Sequence, residues 1–323
     1  MAGDMEVKHV AEETTTSIDK VAGVIEGSRY VGDKKDPVIF LENCGVNQEE
    51  WSDFYGVVDA EKLKVLSYFP AGEVLFGNVG IIVAGTDQEG VGISCASTGF
   101  NRRSEDSLVI DGVVLINMKN VDLIQELEGE GRIEITQRKI RHELAHLALS
   151  NYVARQGLDI HDDDLKIFSE LVAVWIEEDG DIDRMKSLVD TLDPEELMEI
   201  SNIFPSVLED GDMYRFLPAF FAHISEITSG GCTPLRLLDN MVKSRPPREL
   251  DLIDEQLDAP EKMLVYWLSE AENIARSPES NGTYGGTREI PVVTKGLLDK
   301  YFKGNYNLHL DESWSSWRAG LQI

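Results

Sequence analysis

The sequence predicts an α+β fold in which a mainly β region is followed by a mainly helical region. The chain has 323 residues, and 42% of them are apolar, which is enough for a hydrophobic core of normal size. Between residues 38 and 121 the apolar residues form short runs bounded by Gly, Asp or Asn, a pattern typical of strands and turns. After residue 133 they recur at intervals of three or four, the spacing of a helix with one apolar face.

Four apolar runs predict strands in the N-terminal half of the chain. They are Val38–Leu41, Glu73–Phe76, Gly80–Ala84 and Val113–Asn117. Residues 48–66 are expected to contain one or two helices. Residues 1–20 are polar and rich in Glu and Thr, so we expect them to form a flexible tail.

Six helices are predicted in the second region. They cover residues 137–156, 163–178, 214–227, 234–242 and 260–275, with one more starting at Asp193-Pro194. Gly157 ends the first of them, because glycine commonly terminates a helix. At Asp193-Pro194 the Asp can cap a helix and the Pro suits its first position.

The charge balance excludes several classes of partner. Thirty Lys and Arg against 59 Asp and Glu give a formal net charge of −29. Such a chain repels phosphate backbones and anionic lipid surfaces, so we expect no nucleic-acid or membrane partner. No secretory signal and no apolar stretch near the roughly 20 residues of a membrane span are visible. We therefore expect a cytoplasmic protein with three reduced thiols, and signal-less secretion stays open.

The segment His142-Glu143-Leu144-Ala145-His146 carries a specific chemical pattern. On a helix, positions i and i+4 lie on one face, so His142 and His146 can bind one tetrahedral Zn²⁺ ion. Glu143 follows the first histidine and can act as a general base towards a water that the metal activates. The other interpretation is a surface helix with two histidines that bind nothing. Apolar residues on a separate face of the same helix favour the zinc site.

A catalytic zinc ion usually has three protein ligands and one open position. The third histidine of a metzincin is excluded, because Leu149 and Tyr152 stand where that pattern requires Gly and His. Glu170 is the best candidate, since it lies in the apolar helical segment 167–175, where an unpaired carboxylate would be costly to bury. In the alternative interpretation Glu170 occupies a partly exposed edge of that helix.

Three other residues are alternatives for the third ligand. His161 stands next to three Asp in an expected loop and is the second candidate. Glu177 and Glu178 lie at the end of the second helix, where we expect solvated side chains.

These residues resemble the gluzincin zinc peptidases, in which a Glu on the next helix follows His-Glu-x-x-His. The segment Ser169–Glu177 is similar to Asn-Glu-Gly-Phe-Ala-x-Tyr-x-Glu of the aminopeptidase-N-like branch. Ser169 and Leu171-Val172 depart from that segment. The resemblance implies a zincin-like catalytic core that hydrolyses peptide bonds with one Zn²⁺. The implied zinc ligands are His142, His146 and Glu170, with Glu143 as the general base.

The resemblance also implies a residue that stabilises the oxyanion. Tyr214 begins a Tyr-x-x-(apolar helix)-Gly stretch like one in the aminopeptidase-N-like branch, with a register uncertainty of one residue. His223 is the rival, because thermolysin-like enzymes use a His. Simple packing roles for both side chains stay open. Glu177 is a candidate to orient a histidine.

The strand before the zinc helix borders the substrate cleft in this family. We therefore expect Gly112–Met118 to be an edge strand that can pair with an extended peptide. The family's Gly-x-Met-Glu-Asn exopeptidase motif is not seen, so we expect an endopeptidase of peptide or protein substrates. The alternatives are a non-catalytic zinc-containing binding or regulatory protein and a hydrolase of non-peptide amides.

The expected domain organisation follows from these patterns. Residues 1–20 form the tail, 21–136 the mainly β half of the catalytic domain and 137–245 the helical half with the zinc site. Residues 246–323 form a C-terminal region without an assigned role, and the oligomeric state stays open.

Overall fold

The computed structural model describes most of the chain as separate segments. They are residues 29–32, 37–40, 44–70, 75–76, 79–85, 96–104, 107–155, 163–190, 207–209, 215–244, 287–289, 299–300 and 302–320. The described residues are mostly helical and include a smaller number of strands. They fall into two compact units, one with residues through 66 and from 75 to 151, the other with residues 67–70 and those from 152 onward.

The helices are α1 (Gln48–Leu66), α2 (Met118–Glu128), α3 (Arg132–Arg155), α4 (Asp163–Glu177), α5 (Ile182–Ser187), α6 (Phe216–Ile227), α7 (Pro234–Ser244) and α8 (Leu310–Gly320). The strands are β1 (Arg29–Gly32), β2 (Pro37–Phe40), β3 (Val79–Ala84), β4 (Ala96–Ser104), β5 (Ser107–Asn117), β6 (Val207–Glu209) and β7 (Thr287–Glu289). The boundary between the two units falls inside α3, after Asn151.

A five-stranded mixed sheet forms the β part of the first unit, in the order β1-β2-β3-β5-β4. The central strands β2, β3 and β5 are parallel, whereas β1 and β4 run antiparallel to their neighbours at the two edges. The register places Val38, Ile81 and Val114 side by side, and all three side chains are buried. One face of the sheet therefore packs into the core, as the apolar runs predict.

The prediction of an edge strand at Gly112–Met118 is wrong. Gly112–Asn117 belongs to β5, which pairs with β3 on one side and with β4 on the other. The edge strand next to β5 is β4, whose sequence is mostly polar and includes Arg102 and Arg103. A strand of this composition has no apolar run to reveal it, so the pattern of the sequence missed it.

Most of the other predicted elements within the described residues are confirmed. Three of the predicted strands correspond to β2, β3 and β5, and five predicted helices correspond to α1, α3, α4, α6 and α7. The helix predicted from residue 137 starts earlier, at Arg132. Leu75 and Phe76 are not in a strand. The predicted tail and the helices predicted at 193 and 260–275 lie outside the described residues.

Short-range capping determines where α2 ends and α3 begins. Asn117 Oδ1 accepts a hydrogen bond from the Lys119 amide at 3.2 Å and caps the start of α2. Gly129 follows α2 with φ of 71°, a left-handed conformation that favours glycine. Glu134 Oε2 then accepts the Gly131 amide at 2.9 Å in the first turn of α3. The chain therefore turns sharply between the two helices.

Helix α3 is buried on almost every side between Ile140 and Val153. Such a helix contains polar residues that water cannot reach, and each needs a partner in the protein. Asn151 donates to the Leu75 carbonyl at 2.9 Å. Arg141 Nε lies 2.5 Å from Glu61 Oε2 of α1, with side chains only 9% and 7% exposed. These contacts tie α3 to distant parts of the first unit.

The second unit is built from helices around aromatic side chains. Trp175 of α4 packs with Met185 of α5 and Ala222 of α6. Phe220 of α6 lies 5.1 Å, between ring centroids, from Trp314 of α8. The last turn of α3 also belongs here, because the Tyr152 hydroxyl donates to Asp239 of α7 at 2.5 Å. Helix α7 in turn contacts α4.

Two of the three cysteines lie in the described part of the chain. Cys44 and Cys232 are buried free thiols, as expected of reduced cysteines, whereas Cys95 lies outside the described residues. Burial raises the pKa of the Cys232 thiol to about 12. It is therefore protonated and unreactive at neutral pH.

None of the helices that the structure describes has the length and apolar character needed to cross a lipid bilayer.

We predict that Glu61→Gln lowers the free energy of unfolding by about 3–5 kcal/mol, because Arg141 would keep a buried charge without its counter-ion. Urea unfolding followed by circular dichroism measures the change. The matched control is Asp122→Asn, which removes the ion pair of Asp122 with Arg132 at 2.7 Å. Because the Asp122 side chain is 49% exposed, this loss should be at most about 1 kcal/mol. Equal losses in the two variants would contradict the prediction.

Candidate metal centre

Two histidines face each other on the buried helix α3. His142 and His146 are one turn apart, and their Nε2 atoms are 3.1 Å from each other. The ring centroids are 4.8 Å apart and the ring planes are nearly perpendicular, at 78°. Two ligands at about 2.0–2.1 Å from a tetrahedral ion are about 3.3 Å apart. The two nitrogens are therefore spaced almost as a single zinc ion requires.

Glu170 of α4 supplies a third donor atom to this pair. One ligand atom from each of His142, His146 and Glu170 lies within 4.8 Å of the other two. Within the described residues, these three are the group of His, Cys, Asp or Glu side chains close enough to share one ion. The structure thus brings together the three residues that the sequence predicts as metal ligands. Their role as metal ligands stays a prediction.

The chemistry of the donors fits zinc better than a harder cation. Two imidazole nitrogens and one carboxylate oxygen make a common ligand set of catalytic zinc, whereas Mg²⁺ and Ca²⁺ prefer oxygen donors only. His142 is 6% exposed, while His146 and Glu170 are half-buried. Within residues 169–178, Glu170 is the only side chain that is not buried. The Oε2 atom of the Glu170 carboxylate is nevertheless itself buried.

Glu143 lies next to the first histidine and is almost completely buried. It is 5% exposed, and Leu144 and Ala145, which follow it, are 0% exposed. Burying a carboxylate is unfavourable unless nearby groups compensate for its lost hydration. A divalent cation bound on the same helix would provide such compensation. The position of Glu143 is therefore compatible with a base that acts beside the metal.

The expectation that Glu177 and Glu178 are solvated is wrong, because they are only 4% and 5% exposed. Helix α4 ends in a packed turn, where Gly180 adopts φ of 68° against the Trp175 ring. Glu178 forms an ion pair with Arg184. Glu177 is two helical turns from Glu170, about 10 Å along the axis, and does not belong to the group of three.

The other candidate site residues are not part of this group of three. Tyr214 and His161 lie outside the described residues. His223 is half-buried on α6, beside the ion pair between Lys186 and Glu226. It is not a member of the group formed by the two histidines and Glu170. Its role as an oxyanion stabiliser stays a prediction, as does that of Tyr214.

Electrostatics favour the neutral form of His223. Burial lowers the pKa of His223 most strongly, the nearby Glu226 raises it, and Lys186 lowers it further. The net pKa is below the ordinary value. A neutral imidazole retains one N–H that can donate a hydrogen bond.

Sequence reasoning missed the ion pair that flanks the histidines. Arg141 immediately precedes His142, but its partner Glu61 lies 80 positions earlier, on α1. A single Arg beside the motif was visible in the sequence. No local pattern connects it with a particular Glu on another helix.

We predict that His223→Gln makes the protein less sensitive to acid. The folded state binds a proton at His223 less readily than the unfolded state, so wild-type stability falls as the pH drops through the unfolded pKa, near 6.5. The variant should therefore lose less unfolding free energy between pH 7.5 and 5.5. Urea titrations of metal-free protein measure this difference. Between pH 8 and 9, where both states hold neutral imidazole, the difference between the two proteins should stay constant. An equal acid-induced loss in both would contradict the prediction.

Comparison of the chain with protein-family models, with curated proteins and with solved structures found no match. The interpretation of the site therefore depends on its own geometry and chemistry.

Proposed function

We propose that the chain is a zinc-dependent metallopeptidase of the gluzincin type, acting on peptides or proteins as an endopeptidase. The proposal rests on one observation. His142, His146 and Glu170 place three ligand atoms within 4.8 Å of one another, with the buried Glu143 beside the first of them. The order of elements also supports a zincin-like core. The mixed sheet precedes the helix with the two histidines, and the carboxylate comes from the next helix.

The three side chains would hold the ion and leave room for substrate. His142 and His146 would bind through their Nε2 atoms as neutral imidazoles, and Glu170 through a carboxylate oxygen. Three protein ligands leave a fourth tetrahedral position open, which is characteristic of catalytic rather than structural zinc. When bound, zinc supplies a Lewis acid that lowers the pKa of water towards neutrality and polarises a carbonyl group.

Glu143 has the central role in proton transfer. Its carboxylate would accept a proton from the attacking water and later deliver it to the amine that leaves when the peptide bond breaks. Tyr214 or His223 would donate a hydrogen bond to the carbonyl oxygen as negative charge develops there. For His223, the lowered pKa makes the neutral imidazole the donor.

The antiparallel edge strand β4 is the proposed site for the substrate backbone. It pairs with β5 alone among the described strands, so no described strand pairs with its other side. An extended peptide could add to this row by hydrogen bonds between main chains. This role, expected at Gly112–Met118, moves to β4, because β5 already has partners on both sides.

A non-catalytic zinc protein is the alternative function. Such a protein needs metal ligands but has no use for a buried carboxylate next to them. Glu143 directly follows the first histidine, where a zinc hydrolase needs its general base. A carboxylate at this position therefore favours the hydrolase.

We predict that the purified wild-type protein contains about one zinc per chain. His146→Ala and Glu170→Ala should each lose most of it, because two ligands bind the ion far more weakly than three. Elemental mass spectrometry of folded protein measures the content. His223→Ala is the matched control and should keep its zinc, since His223 is outside the group. Folded wild type without zinc, even after zinc is supplied, would contradict the proposal. Zinc lost only with His146→Ala would point to another third ligand, such as His161.

We predict that Glu143→Gln keeps zinc but lowers peptide hydrolysis by about 10²–10⁴-fold, because the amide cannot accept the proton of water. Cleavage of denatured casein, followed by mass spectrometry of the fragments, measures the rate. Glu134→Gln on the exposed start of the same helix is the control and should keep both zinc and activity. If wild type binds zinc but cleaves no peptide, the binding protein becomes the better interpretation.

A further inference from the structure

We propose that the ion pair between Glu61 and Arg141 sets the zinc affinity of the site, because it cancels a positive charge beside His142. The inference rests on the proposed metal centre. It assigns Glu61 and Arg141 the role of positioning and tuning residues that do not touch the metal.

The pair is closely joined and well shielded from water. Arg141 Nε and Glu61 Oε2 are 2.5 Å apart, and the side chains are 9% and 7% exposed. Glu61 comes from α1 and Arg141 from α3, both in the first unit. Arg141 directly precedes His142, which is itself only 6% exposed. The guanidinium charge is thus held inside the protein, one residue from a proposed ligand.

A buried guanidinium cannot lose its charge, because it stays protonated at any pH a protein tolerates. Consecutive side chains on a helix diverge by about 100°, which puts the guanidinium on the order of 10 Å from an ion held by the histidines. Over that distance, with an effective dielectric constant between about 20 and 80, an unbalanced positive charge weakens binding of a dication by roughly fourfold to a few hundredfold. The Glu61 carboxylate removes most of this repulsion.

A purely mechanical role makes a different prediction. If the pair only braces α1 against α3, removing either member disturbs His142 and weakens zinc binding. If charge is decisive, the two removals act in opposite directions. Without Glu61 a buried cation remains, and zinc binds more weakly. Without Arg141 a carboxylate remains, and zinc binds as tightly as in wild type or more tightly.

The test is a zinc titration of metal-free full-length protein at pH 8, in competition with a chromophoric chelator. We expect Glu61→Gln to weaken zinc binding about tenfold, equivalent to ~1.4 kcal/mol. Arg141→Met should bind zinc at least as tightly as wild type. Glu61→Asp, which keeps the charge but loses the geometry, should stay within about threefold of wild type. Asp122→Asn breaks the exposed ion pair at the start of α3 and should leave the affinity unchanged.

The outcomes separate this inference from the proposed function. If wild type binds no zinc, the metal centre itself is wrong, and the inference falls with it. Another outcome is that wild type binds zinc while Glu61→Gln and Arg141→Met both lose zinc affinity to a similar extent. The ion pair then only holds α1 against α3, and this inference alone is overturned. If Glu61→Gln does not fold, the zinc affinities of Glu61→Asp and Arg141→Met decide between the charge role and the mechanical role. Weaker binding in both overturns the charge role, and wild-type or tighter binding in both supports it.

Discussion

The burial of polar side chains along α3 is the constraint on which the rest of the site depends. Between Ile140 and Val153 this helix is enclosed on almost all sides, yet it contains Arg141, His142, Glu143 and Asn151. Burying such groups is unfavourable unless each one finds a hydrogen-bond partner or an opposite charge. Arg141 forms an ion pair with Glu61, and Asn151 donates a hydrogen bond to the Leu75 carbonyl. A cation bound by the paired histidines would add a further favourable interaction at the centre of the helix.

The distance between the two histidines fits either a hydrogen bond between the rings or a shared cation. Two Nε2 atoms 3.1 Å apart repel each other if both point lone pairs inward, so either a proton or a metal ion must lie between them. A hydrogen bond between the two rings satisfies only these nitrogens, whereas a divalent ion would bind the carboxylate of Glu170 as well. The chain's large negative net charge is compatible with this arrangement, because it attracts cations in general.

Local charge at the site differs from the charge of the whole chain. The chain carries a net −29, but the side chain before His142 is a buried Arg, which forms an ion pair with Glu61 of another helix. A dication at the histidines would be balanced by Glu143 and Glu170, while Arg141 and Glu61 would balance each other. In that arrangement individual buried charges would control the metal affinity, because surface charges are screened by water and salt.

The sequence alone determined the parts of this protein that depend on local periodicity. The spacing of apolar residues predicted α3 and α4, and the i, i+4 spacing of His142 and His146 was enough to place them on one face of a helix. The choice of Glu170 over Glu177 and Glu178 as the partner in the group also came from its position in an apolar segment. Only the tertiary structure decided the edge strand β4, the burial of Glu177 and Glu178, and the pairing of Arg141 with Glu61. Those features depend on which segments meet in space, and a local pattern carries no information about a contact across 80 residues.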